Sequence, residues 1–256
     1  MHHLSRRFLV ATLPALLWPP LPAAAAQPPL TLVTSDLPPM AMQGGLGQRG
    51  VLLDLVEAVL QRADLSVEPD FFPWARAMLL ASEKPRTLIM PLNRTPDREG
   101  RFQWLIKLYA QRFSFMNLAH QPRVDTAEQA RSLRVAVLRG SSNQGRLHEL
   151  DVRPRQLIAF SSIADMQRAL QRNLADALYG SELIHNDAWR RSGQAPAQLQ
   201  TGLTLESADI WLAAHSGVTD AEHARLRQAH EALLADGSIE RLFKRYGLRF
   251  RPEDAR

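Results

Sequence analysis

Three arginines lie within residues 93–105, whose sequence is NRTPDREGRFQWL, between two apolar segments. A guanidinium presents a planar fork of N–H donors that can bind both oxygens of a carboxylate at once. The preceding segment, TLIMPL at residues 87–92, is β-branched and apolar and predicts a buried strand. The stretch is therefore a candidate anion site at the end of a strand, and a solvated surface turn is the alternative.

Other polar and small residues follow the remaining predicted strands in the same way. Ligands of open α/β sheets bind outside the carboxyl ends of the strands. The candidate positions on this argument are Ser35 and Asp36, residues 93–98, Gly140 with Ser141 and Ser142, and Gly180 with Ser181 and Glu182.

Strands and helices alternate twice along the chain. The first series predicts strands at residues 30–35, 67–72 and 87–92, and helices at residues 52–59 and 73–81. The second predicts a strand that runs into a turn of small residues within residues 133–142, and a short strand with a Gly-Ser exit at residues 175–181. A helix capped by Ser161 or Ser162 lies between them. Extended segments at residues 108–120 and 207–215 connect the two series, and helices follow to the end. We expect an α/β protein of two lobes with a cleft between them.

The first 26 residues have the composition of a secretory signal peptide. A short basic segment containing Arg6 and Arg7 precedes an apolar run of about eleven residues, too short to span a bilayer. Removing them leaves 256 − 26 = 230 residues and lowers the net charge from +5 to +3. The chain has no cysteine, and its basic residues are spread rather than clustered. We therefore expect a periplasmic protein that is held by its core and does not bind nucleic acid.

Six segments resemble, in order, those of the extracellular solute-binding proteins of family 3, which typically serve ABC importers of polar amino acids. They are LVTSDLPPM, GVLLDLVEAVLQRADLSVE, TPDREGRFQWLIKLY, LRVAVLRGSS, ADALYGS and LLADGSIERLFKRYG. The resemblance implies a type II periplasmic binding fold, in which each lobe is a sheet flanked by helices and two hinge segments connect the lobes. It divides the chain into residues 27–114 (first lobe), 115–210 (second lobe) and 211–256 (first lobe again).

The resemblance also implies roles for individual residues. Arg98 matches the arginine that holds the ligand carboxylate, and Asn93 matches a ligand-bonding threonine or serine. Trp74 lies near the aromatic wall of the family's site, and Ser141 and Ser142 match the glycine-serine turn of the second lobe. Arg94 and Arg101 are interpreted as surface charges.

Two departures concern the part of the family's site that holds an α-ammonium group. Ser181 occupies the position where amino-acid binders usually have an aspartate, and Glu182 follows it. In the first lobe Ser35 occupies the expected acidic position and Asp36 is shifted by one. The third strand is preceded by Arg86 rather than by an acid. A ligand with a carboxylate and no α-ammonium is therefore an alternative to an amino acid.

Three functions remain open on the sequence. The first is a non-catalytic binding protein, expected to be a monomer, that delivers its ligand to the membrane permease of an ABC importer. The second is an exported dehydratase-type enzyme, for which Glu182 is the candidate general acid. The third is a receptor that reports its ligand to a membrane sensor. The chain's histidines form no metal-binding spacing, and we expect neither a metal nor a cofactor.

Overall fold

The computed structural model describes residues 27–44 and 47–251. The predicted signal peptide lies outside the described residues. Within them, no helix is both long and apolar enough to cross a membrane.

Eight strands form one mixed sheet, and helices flank it. The strands are β1 (Thr31–Thr34), β2 (Pro69–Phe71), β3 (Thr87–Asn93), β4 (Gln103–Leu118), β5 (Val135–Leu138), β6 (Leu157–Phe160), β7 (Ala177–Ser181) and β8 (Leu199–Ala214). Their spatial order is β2-β1-β3-β8-β4-β7-β5-β6. The helices are α1 (Val51–Arg62), α2 (Trp74–Glu83), α3 (Ala127–Ala130), α4 (Asn143–His148), α5 (Ile163–Gln171), α6 (Glu182–Arg191), α7 (Asp220–Ala235) and α8 (Ser238–Arg245). The predicted α/β fold class is confirmed.

Two long strands connect the two halves of this sheet. β4 and β8 have 16 residues each and pair antiparallel from Gln103 opposite Ala214 to Leu118 opposite Leu199. At one end β8 also pairs with β3, and at the other end β4 pairs with β7. We call β1–β3 with α1, α2, α7 and α8 the first half, and β5–β7 with α4–α6 the second half. The two crossings were predicted as separate segments, whereas the structure pairs them and so joins both halves into a single sheet.

Local sequence explains where the main helices begin. The Ser162 hydroxyl accepts a hydrogen bond from the Asp165 amide at 3.1 Å and caps α5, which decides between the two predicted caps. Thr219 and Glu222 form a reciprocal capping box at the start of α7. The apolar face of α1 is buried as its periodicity predicts, including Leu52, Leu55, Val56 and Val59.

Arg86 connects the start of β3 to helix α7. Its guanidinium forms an ion pair with Glu222 at 2.8 Å and donates to the Gly217 carbonyl at 2.7 Å. It also donates to Gln27 Oε1 at 2.7 Å and to the Pro28 carbonyl. The side chains of Arg86 and Glu222 are only 10% and 13% exposed. The basic residue at this position therefore forms a structural ion pair within the first half.

Candidate functional site

Two adjoining cavities lie between the two halves, and both are lined by Leu37, Leu138 and Ile163. The inner cavity, of about 50 Å³, is the smaller. The outer cavity is about 490 Å³ and includes Phe71, Phe72, Arg168 and Arg191 in its lining. A space of the inner size holds a few water molecules, or one small polar group of a ligand.

The inner cavity contains six of the eight predicted ligand-binding residues. They are Trp74, Asn93, Arg98, Ser141, Ser142 and Ser181. The other two, Ser35 and Asp36, line the outer cavity. The exposed Asp36 carboxylate accepts a hydrogen bond from the Gln43 amide at 3.0 Å, so it caps its own loop. The structure thus places Asp36 on the outer cavity and Arg98 on the inner one.

Arg98 is a buried cation on the wall of the inner cavity. It ends a single turn of 3₁₀ helix, Pro96–Arg98, directly after β3, and it is only 5% exposed. Its Nη1 donates to the Asn93 carbonyl at 3.2 Å. No carboxylate of the described chain forms an ion pair with it, and burial lowers its pKa. Because an arginine stays protonated even so, this arrangement leaves a desolvated positive charge facing the cavity.

The other two arginines of this stretch have different surroundings. Arg94 pairs with Glu99 at 2.6 Å and lies over the rings of Trp104 and Trp211, at 5.3 and 5.0 Å from their centres. Arg101 is exposed. Arg98 alone among the three lines either cavity.

Contacts between the halves close over the inner cavity. Asn93 Nδ2, after β3, donates to Ser142 Oγ, after β5, at 3.1 Å. Gly140 lies against α2, so that a Cβ atom added there would be 2.9 Å from the Ala75 Cα. The structure is therefore a closed arrangement, in which a side chain as small as methyl has no room at position 140.

The second half contributes hydroxyl groups that already have partners. Ser181 Oγ, at the start of α6, donates to Gln111 Oε1 at 2.7 Å and caps the helix by accepting from the Ile184 amide. Ser141 Oγ donates to the Leu138 carbonyl at 2.7 Å. The hydroxyl groups of Ser181 and Ser141 therefore stabilise the wall of the cavity, because their protons are already donated within the protein.

The sequence reasoning missed three polar residues of the inner cavity, Gln111, Asn143 and His185. Asn143 Nδ2 donates to the Tyr179 carbonyl at 3.2 Å, and its Oδ1 is buried with no hydrogen-bond partner. Burial lowers the pKa of His185 to about 4, so the ring is neutral at pH 7. Asn143 immediately follows the predicted serines, and extending the candidate turn by one residue would have included it. His185 was considered only as a metal ligand, and no local pattern marks it.

The structure places Glu182 outside both cavities. Its carboxylate accepts from Ser114 Oγ and from Thr204 Oγ1 and pairs with Arg112 Nε at 3.3 Å. The helix α6 directs this side chain toward β4 and β8, because the cavity side of the same turn is taken by Ser181 and His185. The candidate general acid of the dehydratase hypothesis is therefore not in the cleft.

Clusters that would hold a metal ion are not found among the described residues: no three or more His, Asp or Glu side chains come together there. The chemistry of the inner cavity is that of a cation with neutral donors and acceptors, surrounded by an apolar wall. Its apolar members are Leu37, Trp74, Pro91, Phe113, Leu138, Ile163 and Ile184.

No protein-family model and no curated protein sequence matches the chain. Solved structures do match it in fold. A histidine kinase sensor domain with similarity to periplasmic binding proteins has 17% identity and a TM-score of 0.77, covering 87% of this chain and 98% of that one. The arginine-, lysine-, histidine-binding protein ArtJ from Geobacillus stearothermophilus has 15% identity and a TM-score of 0.74, covering 87% and 97%. The glutamate-bound GluR0 ligand-binding core from Nostoc punctiforme has 17% identity and a TM-score of 0.73, covering 85% and 98%.

These matches span nearly the whole length of each solved structure. The resemblance found in the sequence is thus confirmed at the level of fold. The chain has the type II fold of periplasmic binding proteins, with its cavities where the two halves of that fold meet.

Proposed function

We propose that the protein is a non-catalytic receptor that captures a small carboxylate-bearing molecule between two closing lobes. The observation that carries the proposal is Arg98, a buried guanidinium in the inner cavity with no carboxylate partner in the described chain. An unpaired buried charge is costly, and a bound carboxylate offsets that cost with charge-assisted hydrogen bonds. The solved structures of similar fold include proteins named for binding glutamate and basic amino acids, which supports a small carboxylate-bearing ligand.

The lobes in this proposal are residues 27–114 with 211–256, and residues 115–210. Binding proteins of this kind close by a hinge motion, and the ligand selects the closed state through contacts made only there. The Asn93–Ser142 hydrogen bond and the Gly140–Ala75 approach are contacts of that type. Opening the cleft would separate them and expose Arg98 to an incoming anion.

Gly140→Ala is expected to weaken ligand binding about tenfold or more by holding the lobes apart. The added Cβ would lie 2.9 Å from the Ala75 Cα, and the glycine φ of 78° also strains any other residue. Gly193→Ala is the matched control, since Gly193 has the same φ of 78° and nothing within 4 Å of an added Cβ. Isothermal titration and small-angle scattering measure affinity and closure. Equal affinities for the two variants would contradict a closing role for this contact.

A thermal-shift screen of small carboxylic acids, each paired with its primary amide, tests the proposed function. A ligand that binds only the native state must raise the melting temperature. We expect at least one acid to stabilise the protein while its amide does not, because the amide cannot neutralise Arg98. A panel of amino acids, hydroxy acids, dicarboxylates and aromatic acids without any stabilising member would contradict the proposal. Turnover of prephenate or arogenate in the same panel would instead support the dehydratase alternative.

We further propose export to the periplasm and delivery of the ligand to the permease of an ABC importer, with the protein acting as a monomer. Several solved structures of the same fold are named as transport proteins, including a periplasmic binding protein of an arginine transport system from Legionella pneumophila. The sensor-domain match favours a second role, in which the same capture is reported to a membrane kinase. Adjacent permease and ATPase genes would support transport, and an adjacent sensor kinase gene would support signalling.

A further inference from the structure

We propose that the ligand is a 2-hydroxy carboxylic acid, whose uncharged hydroxyl group occupies the place that an ammonium group has in an amino acid. This inference rests on the proposed function and names the class of ligand for the same cavity. It follows from the charge of the inner cavity and from two polar atoms on its wall that have no partner.

The net charge of the side chains that line the inner cavity excludes a ligand whose ammonium group is buried there. Its described lining has one cation, Arg98, and no carboxylate. A bound hydroxy acid brings one negative charge and makes the cavity neutral. A zwitterionic amino acid brings no net charge, so the cavity would keep one unit of positive charge out of contact with water. An isolated buried charge is strongly unfavourable, whereas a neutral hydroxyl needs only hydrogen bonds.

One unpartnered atom is the acceptor Asn143 Oδ1. Asn143 is 5% exposed, and its amide orientation is fixed because Nδ2 donates to the Tyr179 carbonyl at 3.2 Å. The carbonyl oxygen of the side chain is therefore the free end, and it is buried with no donor in the described chain. A ligand hydroxyl can donate to it.

The second such atom is His185 Nε2. Gln167 Nε2 donates to the His185 carbonyl at 3.1 Å and lies 3.3 Å from His185 Nδ1. Since an amide nitrogen only donates, Nδ1 is the acceptor, and the ring proton is on Nε2. Among the described residues, the His185 ring has a hydrogen-bond partner at Nδ1 and none at Nε2. A hydroxyl oxygen can accept from it, but an ammonium group has donors only and cannot.

The side-chain amide of Asn143 and the ring of His185 both lie beside Gly180. A Cβ on Gly180 would be 2.6 Å from His185 Nε2 and 3.4 Å from Asn143 Nδ2. The Asn143 amide thus offers an acceptor and the His185 ring a donor on the same wall, and a hydroxyl group, which both donates and accepts, suits the two. A carboxylate on Arg98 and a hydroxyl between Asn143 and His185 together define the head group, and the outer cavity takes the rest of the molecule.

The test compares three compounds within each of three carbon skeletons, so that ligand size does not decide the result. They are lactate, alanine and propionate; 2-hydroxy-4-methylpentanoate, leucine and 4-methylpentanoate; and 3-phenyllactate, phenylalanine and 3-phenylpropionate. Isothermal titration on the purified full-length protein is expected to give the tightest binding to a hydroxy acid, at least tenfold over the amino acid of its skeleton. The unsubstituted acid is expected to be intermediate.

A charge-introducing variant gives an independent arm. Ser181→Asp adds a carboxylate to the inner cavity at a helix-capping position that aspartate also suits. It is expected to shift preference at least tenfold toward the amino acid relative to the uncharged Ser181→Asn, whose side chain is nearly the same size, so that the comparison of the two variants isolates the added charge.

Each negative result of these experiments contradicts a different claim. An amino acid that binds wild-type protein as tightly as its hydroxy acid overturns the inference and leaves the proposed function intact. An unsubstituted acid as tight as the hydroxy acid overturns the assigned hydroxyl contacts. If no compound of the nine binds while an acid of the broader thermal-shift panel does, the inference is overturned and the proposed function stands. If Arg98→Met binds the ligands as wild type does, the proposed function is wrong.

Discussion

Replacing Arg98 with methionine is expected to weaken binding of the carboxylate ligand about 30-fold or more while leaving the ligand-free protein as stable as wild type or more so. Truncating one partner of a buried charge pair costs about 2–5 kcal/mol of binding free energy. Without ligand the same guanidinium has one hydrogen bond, to the Asn93 carbonyl, and no ion pair within the described chain. An apolar side chain of similar length removes a desolvated charge from the wall of the cavity. Isothermal titration and urea unfolding of ligand-free protein measure the two quantities.

Arg101→Met is the matched control for this experiment. It makes the same substitution three residues further along, at an exposed position that lines neither cavity. We expect wild-type affinity and nearly unchanged stability, as is usual for surface substitutions. If Arg98→Met lowers the stability of the ligand-free protein by several kcal/mol, then the guanidinium supports the fold and its assignment to a ligand is wrong.

Arg86→Met is expected to destabilise the fold by about 3–5 kcal/mol, the usual range for removing one partner of a buried ion pair. The loss leaves Glu222 without its cation and frees the carbonyl of Gly217. The backbone φ of 61° at position 86 strains methionine and arginine alike, so it does not contribute to the difference. Glu222→Gln keeps the capping geometry and loses the charge. The double variant is expected to be more stable than the sum of the two single effects predicts, because neither charge is then left unpaired.

The same pair predicts a specific dependence on pH. The hydrogen bond from Arg86 lowers the pKa of Glu222 from 4.5 to about 2. A carboxyl group whose pKa is lower in the folded protein stabilises it fully above the unfolded value, and this contribution is lost as pH falls through the folded value. The stability difference between wild type and Arg86→Met should therefore be complete above pH 5 and shrink between pH 4.5 and pH 2. A difference that stays constant over this range in urea unfolding would show that the ion pair does not stabilise the fold.

Much of the fold could be predicted because its elements carry local patterns. The apolar spacing of α1, the β-branched segment of β3 and the serine cap of α5 each determine a structure from a few adjacent residues. Residues 133–142 were expected to be a strand that runs into a turn of small residues; the strand is Val135–Leu138, and the chain turns at Gly140 before α4. β6 was missed because its four residues are all only partly buried and show no alternation.

The candidate site was predictable only where it follows the ends of strands. Arg98, Asn93 and Ser142 come directly after strands, and topology brings such residues together. His185 and Gln167 meet across two helices, and no sequence pattern encodes that contact. The position of Glu182 was also predicted wrongly. The sequence shows that this residue begins a helix, but it does not show on which side of the helix the carboxylate lies.

The paired strands β4 and β8 restrict how the cleft can open. Two antiparallel strands joined by a hydrogen-bonded ladder flex readily out of their common plane, whereas bending within it would stretch the ladder on one side. The register of this pair shifts between Phe113 and Ser114 and again between Ser114 and Met116, close to the proposed boundary between the lobes. Irregularities of this kind bend a strand locally. In the proposed function the two lobes therefore close about a single axis, and every ligand must fit along the same path of closure.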